Sequence, residues 1–178
     1  MRSFFYLLLL GVVLATIAIV VRSGILARND PGRPINSAMR EALNEQGTPE
    51  LSGADADIVR NKYPTAHRTP SGLMYVIRDP GDRGGIARMG QEVIVHYDGR
   101  LIDGTPFDSS YNRGVPFTFR VGTGAVIKGW DEAFITMRKG EKRTLIIPYW
   151  LAYGAKGQPP KIPPSSTLVF EVELIDFR

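Results

Sequence analysis

The 178-residue sequence contains no cysteine. That removes disulfide frameworks, thiolate zinc and iron–sulfur sites, thiol nucleophiles and a lipid anchor built on a cysteine thiol. Histidine is scarce: there are two, His67 and His96, in segments of different character. They suggest no imidazole metal site, and His96 reads as a packed sheet residue rather than a base. No basic block exists either, because 22 Lys and Arg are interspersed with 18 Asp and Glu for a net charge of +4. The chain therefore carries no nucleic-acid face. Internal repeats and sustained heptads are absent. So is a strand-to-helix Gly-x-x-x-x-Gly-Lys run, which leaves Gly122, Gly124, Gly154 and Gly157 as turn residues. What is there is 43% hydrophobic and 10% aromatic, with 19 Gly and 13 Pro. A disordered tail is excluded, and a turn-rich β domain with appendages fits better than a helical bundle.

Residues 4–21 form an uncharged apolar run interrupted only by Gly11 and Thr16 and bracketed by Arg2 and Arg22. A spanning helix needs about 20 apolar residues, with a lower limit near 17, whereas a signal-peptide core has about 7–15 followed by a small-residue cleavage site. An uncleaved single-pass anchor over residues 1–22 is the leading expectation. A cleaved signal peptide is the second and a buried core helix the third. Arginines on both sides of the run give the positive-inside rule no clear vote, and the C-terminal domain is expected outside the cytoplasm, in a periplasm-like compartment.

Residues 23–70 have the composition of a linker: Gly, Pro, Asn, Asp and Arg with isolated apolar positions. Short helices are predicted from Asn36 or Ser37 to Gly47 and across Ala54 to Tyr63, the second stopped by Pro64.

From Ser71 onward short apolar runs alternate with turn signals. Strands are predicted at Leu73 to Arg78, at Glu92 to Tyr97 ending in Asp98-Gly99, at Leu145 to Ile147, and at Thr167 to Ile175. The last sets Leu168, Phe170, Val172 and Leu174 against Glu171 and Glu173, the period of a half-buried antiparallel strand. One helix is predicted over Asp131 to Lys139. It places Trp130, Phe134 and Met137 in line, with acids in the first turn, bases in the last and Gly140 as the stop. The fold class is α+β, an antiparallel sheet curled onto one short helix over residues 71–178.

Seven blocks then occur in order: Val95-His-Tyr-Asp-Gly99, Asp103-Gly-Thr-Pro-Phe-Asp-Ser-Ser110, Val126-Ile-Lys-Gly-Trp-Asp-Glu132, Met137-Arg-Lys-Gly-Glu-Lys142, Leu151-Ala-Tyr-Gly154, Ile162-Pro-Pro164 and Leu168-Val-Phe-Glu-Val-Glu-Leu174. In sequence and spacing they resemble the FKBP-type peptidyl-prolyl cis-trans isomerases. With the apolar N-terminus, a bacterial membrane-anchored form is expected. The resemblance implies isomerisation about the peptide bond before proline, assisting protein folding, with no metal, no cofactor and no covalent intermediate. It implies a pocket of Tyr97, Phe107, Asp108, Phe117, Val126, Ile127, Trp130, Tyr153, Ile162 and Phe170, with Tyr97, Asp108 and Tyr153 at the catalytic positions. Trp130 would lie under the proline ring, the Tyr153 hydroxyl and the Ile127 N–H would hold substrate carbonyls, and Arg113 would be the ion partner of Asp108. Proline-containing polypeptides and macrolide inhibitors are the implied ligands, and a monomer is expected. Gln158 and Lys161 depart from common family residues at the rim, which bears on macrolide affinity and on the residue preferred before proline.

Taken without that context, Trp130, Phe134 and Phe170 are core residues and Asp108 is a turn or strand-end carboxylate. Two further readings use the same residues: a chaperone or adaptor that grips proline segments with little turnover, and a tethered domain with a vestigial pocket.

Overall fold

The computed structural model describes residues 49–82 and 84–178. The apolar run at 4–21, the linker as far as residue 48 and the helix predicted over 36–47 lie outside the described residues. Among the described residues seven strands make one antiparallel sheet: β1 (His67–Arg68), β2 (Met74–Asp79), β3 (Glu92–Leu101), β4 (Pro106–Ser109), β5 (Phe117–Arg120), β6 (Lys142–Ile147) and β7 (Leu168–Phe177). Their order is β1-β2-β6-β7-β3-β4, and β5 also pairs with β3. The α-helices among the described residues are α1 (Gly53–Lys62), α2 (Ser110–Arg113) and α3 (Lys128–Phe134).

Alternation decides which residues face inward. On β3, Val93, Val95 and Tyr97 are buried. On β7 the same is true of Leu168, Phe170, Val172 and Leu174. These side chains meet Trp130, Ala133 and Phe134 of α3 and form the main core. That is the two-layer packing expected of an α+β domain, a sheet burying one face against a helix.

Three sequence expectations need correction. The strand expected to stop at Asp98-Gly99 runs on to Leu101, because Asp98 and Gly99 pair with Ser109 and Asp108 of β4 on one side and with Glu171 and Phe170 of β7 on the other. The turn comes later, closed by Leu101 N–H on Thr105 O at 2.8 Å. The helix expected at Asp131–Lys139 begins at Lys128 and ends at Phe134. Beyond it the Thr136 hydroxyl donates to Ala133 O at 2.7 Å, and Arg143 donates to the Thr136 hydroxyl and carbonyl at 2.7 and 3.0 Å. Those bonds draw the peptide groups away from an i to i−4 ladder. Met137 stays buried in line with Trp130 and Phe134, but through a turn whose N–H reaches Phe134 O at 3.2 Å.

Finally, the C-terminal part of the stretch read as linker is packed. The Ser52 hydroxyl caps α1 by accepting from Asp55 N–H at 3.1 Å. Val59 of that helix joins Met74, Ile146 and Val169 on the outer face of the sheet, with Leu51, Tyr63 and Ala66 beside them. Isolated apolar positions concealed this, because only four or five are needed to seat one short helix.

Candidate active site

The helix α3 builds the floor and much of one wall. It approaches β6 so closely that a Cβ on Gly129 would lie 2.5 Å from Ile147 Cγ2, so only glycine fits there. This places the indole of Trp130, 5% exposed, among other rings. Tyr97 and Phe170 stand edge-on to it at 5.0 and 5.2 Å, and Phe117 at 6.0 Å. Edge-to-face packing of this kind fixes ring orientation beyond what apolar burial supplies. The neighbouring Asp131 carboxylate accepts Gly122 N–H at 2.8 Å and Gly124 N–H at 2.7 Å. It thereby holds the loop that leads to Ala125, Val126 and Ile127.

Above Trp130 lies a cavity of about 670 Å³ lined by Tyr97, Phe107, Asp108, Phe117, Gly124, Ala125, Val126, Ile127, Lys128, Trp130, Ala152, Tyr153 and Phe170. Nine of the ten residues expected to line the pocket therefore surround one cavity. Ile162 does not: it is buried and lines an adjoining cavity of about 340 Å³, whose shared wall is Phe107, Asp108 and Tyr153. Gln158 and Lys161, the two departures from the family pattern, border that second cavity.

The polar groups of the site are few and ordered. The Tyr97 hydroxyl donates to Asp108 Oδ2 at 2.5 Å, and Arg113 donates to the same hydroxyl at 2.7 Å while ion-pairing with Asp108 Oδ1. Ser109 N–H adds a bond to Asp108 Oδ1 at 2.9 Å. Partial burial works against the Asp108 charge, but Tyr97, Arg113 and Ser109 outweigh it and hold the carboxyl below its usual 3.8. Burial raises the Tyr97 phenol above its ordinary 10.0, with the hydrogen bond to Asp108 as the next cause. Burial likewise raises Tyr153, helped by the Asp108 charge. Both phenols are therefore proton donors throughout the neutral range. The Tyr153 hydroxyl and the Ile127 N–H have no hydrogen-bond partner among the described residues. They border the same cavity and remain available to a ligand.

His96 is placed as the sequence suggested, in the sheet. Its Nδ1 lies 2.9 Å from Ser110 Oγ and its ring stacks on Tyr111 at 4.4 Å. No cluster of metal-ligating side chains occurs among the described residues.

Sequence reasoning missed Gly99. A Cβ there would sit 2.8 Å from Phe107 and 2.9 Å from Phe170, so this glycine makes room for two wall rings. Read alone, Asp-Gly after a strand is a turn signal, and nothing local distinguishes it from a glycine required by rings distant in sequence.

Comparison with known proteins agrees with this geometry. The family model for the FKBP-type peptidyl-prolyl cis-trans isomerase matches residues 84–175, just over half of the chain. The chain belongs to that family. It is 56% identical over 89 residues to the human peptidyl-prolyl cis-trans isomerase FKBP2, a match covering 50% of this chain and 63% of the relative. To the FK506-binding protein 1A of Aspergillus fumigatus it is 49% identical over 104 residues, covering 58% of this chain and 93% of the relative. Against the FKBP2 relatives the chain thus spans somewhat less than two thirds of their length. Among solved structures, it is similar to the crystal structure of AtFKBP13, with a TM-score of 0.61 and 45% identity over 64% of this chain and 98% of that one. It is also similar to FkpA from Escherichia coli, with a TM-score of 0.64 and 37% identity over 81% of this chain and 66% of that one.

Proposed function

We propose that this protein catalyses cis-trans isomerisation of X-Pro peptide bonds in polypeptide substrates and so assists protein folding. The observation that carries this reading is a ring-lined cavity floored by a buried tryptophan, with two unpartnered donors at its border. Amide resonance sets a barrier of about 18–20 kcal/mol to rotation about the X-Pro bond, and the uncatalysed process takes tens to hundreds of seconds. At the twisted transition state the carbonyl loses charge separation. A dry apolar site therefore destabilises the planar ground state relative to the twisted one. Proline stacks on Trp130, Tyr153 O–H and Ile127 N–H orient the flanking carbonyls, and the Tyr97–Asp108–Arg113 cluster keeps the Tyr97 ring in place. Each tenfold in rate needs about 1.36 kcal/mol of such differential stabilisation, so no nucleophile or acid–base pair is required. Incubating the purified chain with a Phe-Pro peptide and following the cis population tests this directly. Acceleration proportional to enzyme concentration is expected, and an uncatalysed rate in a folded sample would exclude it.

The 49% identity over 104 residues to the FK506-binding protein 1A of Aspergillus fumigatus supports macrolide binding in the same cavity. For location, the composition of residues 4–21 supports a single-pass membrane anchor. The catalytic domain is proposed to lie on the extracytoplasmic side, acting on exported proteins as a monomer. Among the described residues no helix is long and apolar enough to cross a membrane. N-terminal sequencing of the mature protein tests the anchor: a first residue at Met1 with the chain retained in the membrane fraction supports it, and a start near Ser23 contradicts it.

A further inference from the structure

The Tyr153 hydroxyl is aligned by nothing it bonds to among the described residues, so its position depends on how the preceding backbone is held. That backbone is a single 3-10 turn, Tyr149–Leu151, followed by Ala152 in the cavity wall. The turn has two anchors. One is Leu151, buried in the core. The other is Trp150, whose indole Nε1 donates to the carbonyl of Ser71 at 2.9 Å, across 79 residues of sequence. Ser71 in turn donates its hydroxyl to Glu132 Oε2 at 2.7 Å, on the helix that carries Trp130.

The Ser71 turn is itself well fixed. Thr69 N–H bonds to Leu73 O at 2.8 Å, Gly72 N–H bonds to Thr69 O at 3.0 Å, and Gly72 takes a φ of 95° that suits glycine. The Thr69 and Ser71 hydroxyls lie 2.8 Å apart, and Leu73 is buried in the core. One short turn, lying before the residues matched by the family model, therefore bonds both to the helix under the cavity and to the turn that presents Tyr153.

We infer that Trp150 and Ser71 are positioning residues for the proposed isomerase reaction. They form a strut that sets the spacing between the Trp130 floor and the Tyr153 donor. The inference rests on the isomerase reading and adds to it a link from Trp150 to Ser71, which precedes the matched region. Neither residue lines the cavity; Trp150 acts through Tyr153 and Ser71 through Glu132 and Trp150.

A double-mutant cycle in the full chain tests this, with Trp150→Phe, Tyr153→Phe and the double variant assayed on a Phe-Pro peptide well below their melting temperatures. Trp150→Phe keeps a ring but loses the donor. It is expected to lower kcat/KM by about three- to tenfold, the range for one hydrogen bond. In the Tyr153→Phe background it is expected to cost less than about twofold, since the group it positions is already gone. A purely structural role would lower the melting temperature yet leave the two activity losses multiplicative. Multiplicative losses, or wild-type kcat/KM in folded Trp150→Phe, overturn the inference while leaving the isomerase reading intact. An inactive parent chain overturns the isomerase reading and the strut with it. Should Trp150→Phe fail to fold, Ser71→Ala, which releases Glu132 but retains the carbonyl, is expected to lose about two- to fivefold, and unchanged kcat/KM in that variant overturns the inference equally.

Discussion

Tyr97 and Asp108, eleven residues apart on adjacent strands, share a hydrogen bond of 2.5 Å at the edge of the cavity, and Arg113 binds both partners. The ring of Tyr97 is thus fixed from its hydroxyl end, while its edge packs on Trp130. Asp108→Asn removes the charge that Arg113 opposes and weakens the hydrogen bond that fixes the Tyr97 hydroxyl. A fall in kcat/KM of about three- to tenfold is expected from one misaligned wall. The stability cost is expected to be below about 1 kcal/mol, because both partners of the ion pair are partly solvent-exposed. Peptide assays paired with thermal melts check the two halves separately.

The same pair sets a pH dependence of stability. Because Asp108 is held below its usual 3.8 in the folded chain, its stabilising contribution is complete above the unfolded value and is lost as pH falls through the folded one. The melting-temperature gap between the parent chain and Asp108→Asn is expected to be constant from about pH 8 to pH 5 and to close below 3.8. Melts across that series measure it. A gap that closes near neutrality would contradict the assignment.

Gly99→Ala tests the cavity wall from behind. The added methyl meets Phe107 and Phe170 at under 3 Å. Overpacking costs typically about 1–3 kcal/mol, and both rings must tilt into the cavity to relieve it. A loss of kcat/KM of at least about tenfold is expected, larger than the stability change alone would produce at a temperature where the variant is folded. Wild-type activity in a folded Gly99→Ala chain would show that the rings move elsewhere.

Trp130→Leu keeps the floor apolar but removes the flat ring and its edge contacts with Tyr97, Phe117 and Phe170. Large-to-small exchange at a buried aromatic costs about 2–4 kcal/mol. Activity is expected to fall by more than about tenfold, beyond the unfolded fraction measured by circular dichroism, since proline then rests on a surface with no plane to stack against.

Much of this architecture was legible in the sequence. Period-two alternation located β3 and β7, since each buries one face and a one-residue slip would expose Tyr97 or Phe170. The ordered motifs contain eight of the expected residues around the cavity, and the resemblance they carry implied Phe117 as a ninth. What was not legible depended on partners distant in the chain. Asp98-Gly99 resembles a turn until β4 and β7 are paired on either side of it, and α3 ends early because Arg143 captures Thr136 from a strand that follows. The strands β4 and β5, four residues each, are too short for periodicity to register. Ser71 and Trp150 carry no signal at all, because a hydrogen bond across 79 residues leaves no local pattern.

The most direct test of the account is the exchange rate of a Phe-Pro peptide between its cis and trans forms, measured by NMR in ordinary and heavy water with a catalytic amount of the chain. Desolvation and orientation by a ring-lined cavity predict accelerated exchange with equal rates in the two solvents, within the viscosity difference, and a flat profile from about pH 5 to pH 9. Exchange no faster than in solvent alone, or a rate at least about twofold slower in heavy water, would show that the cavity does not catalyse rotation in this way.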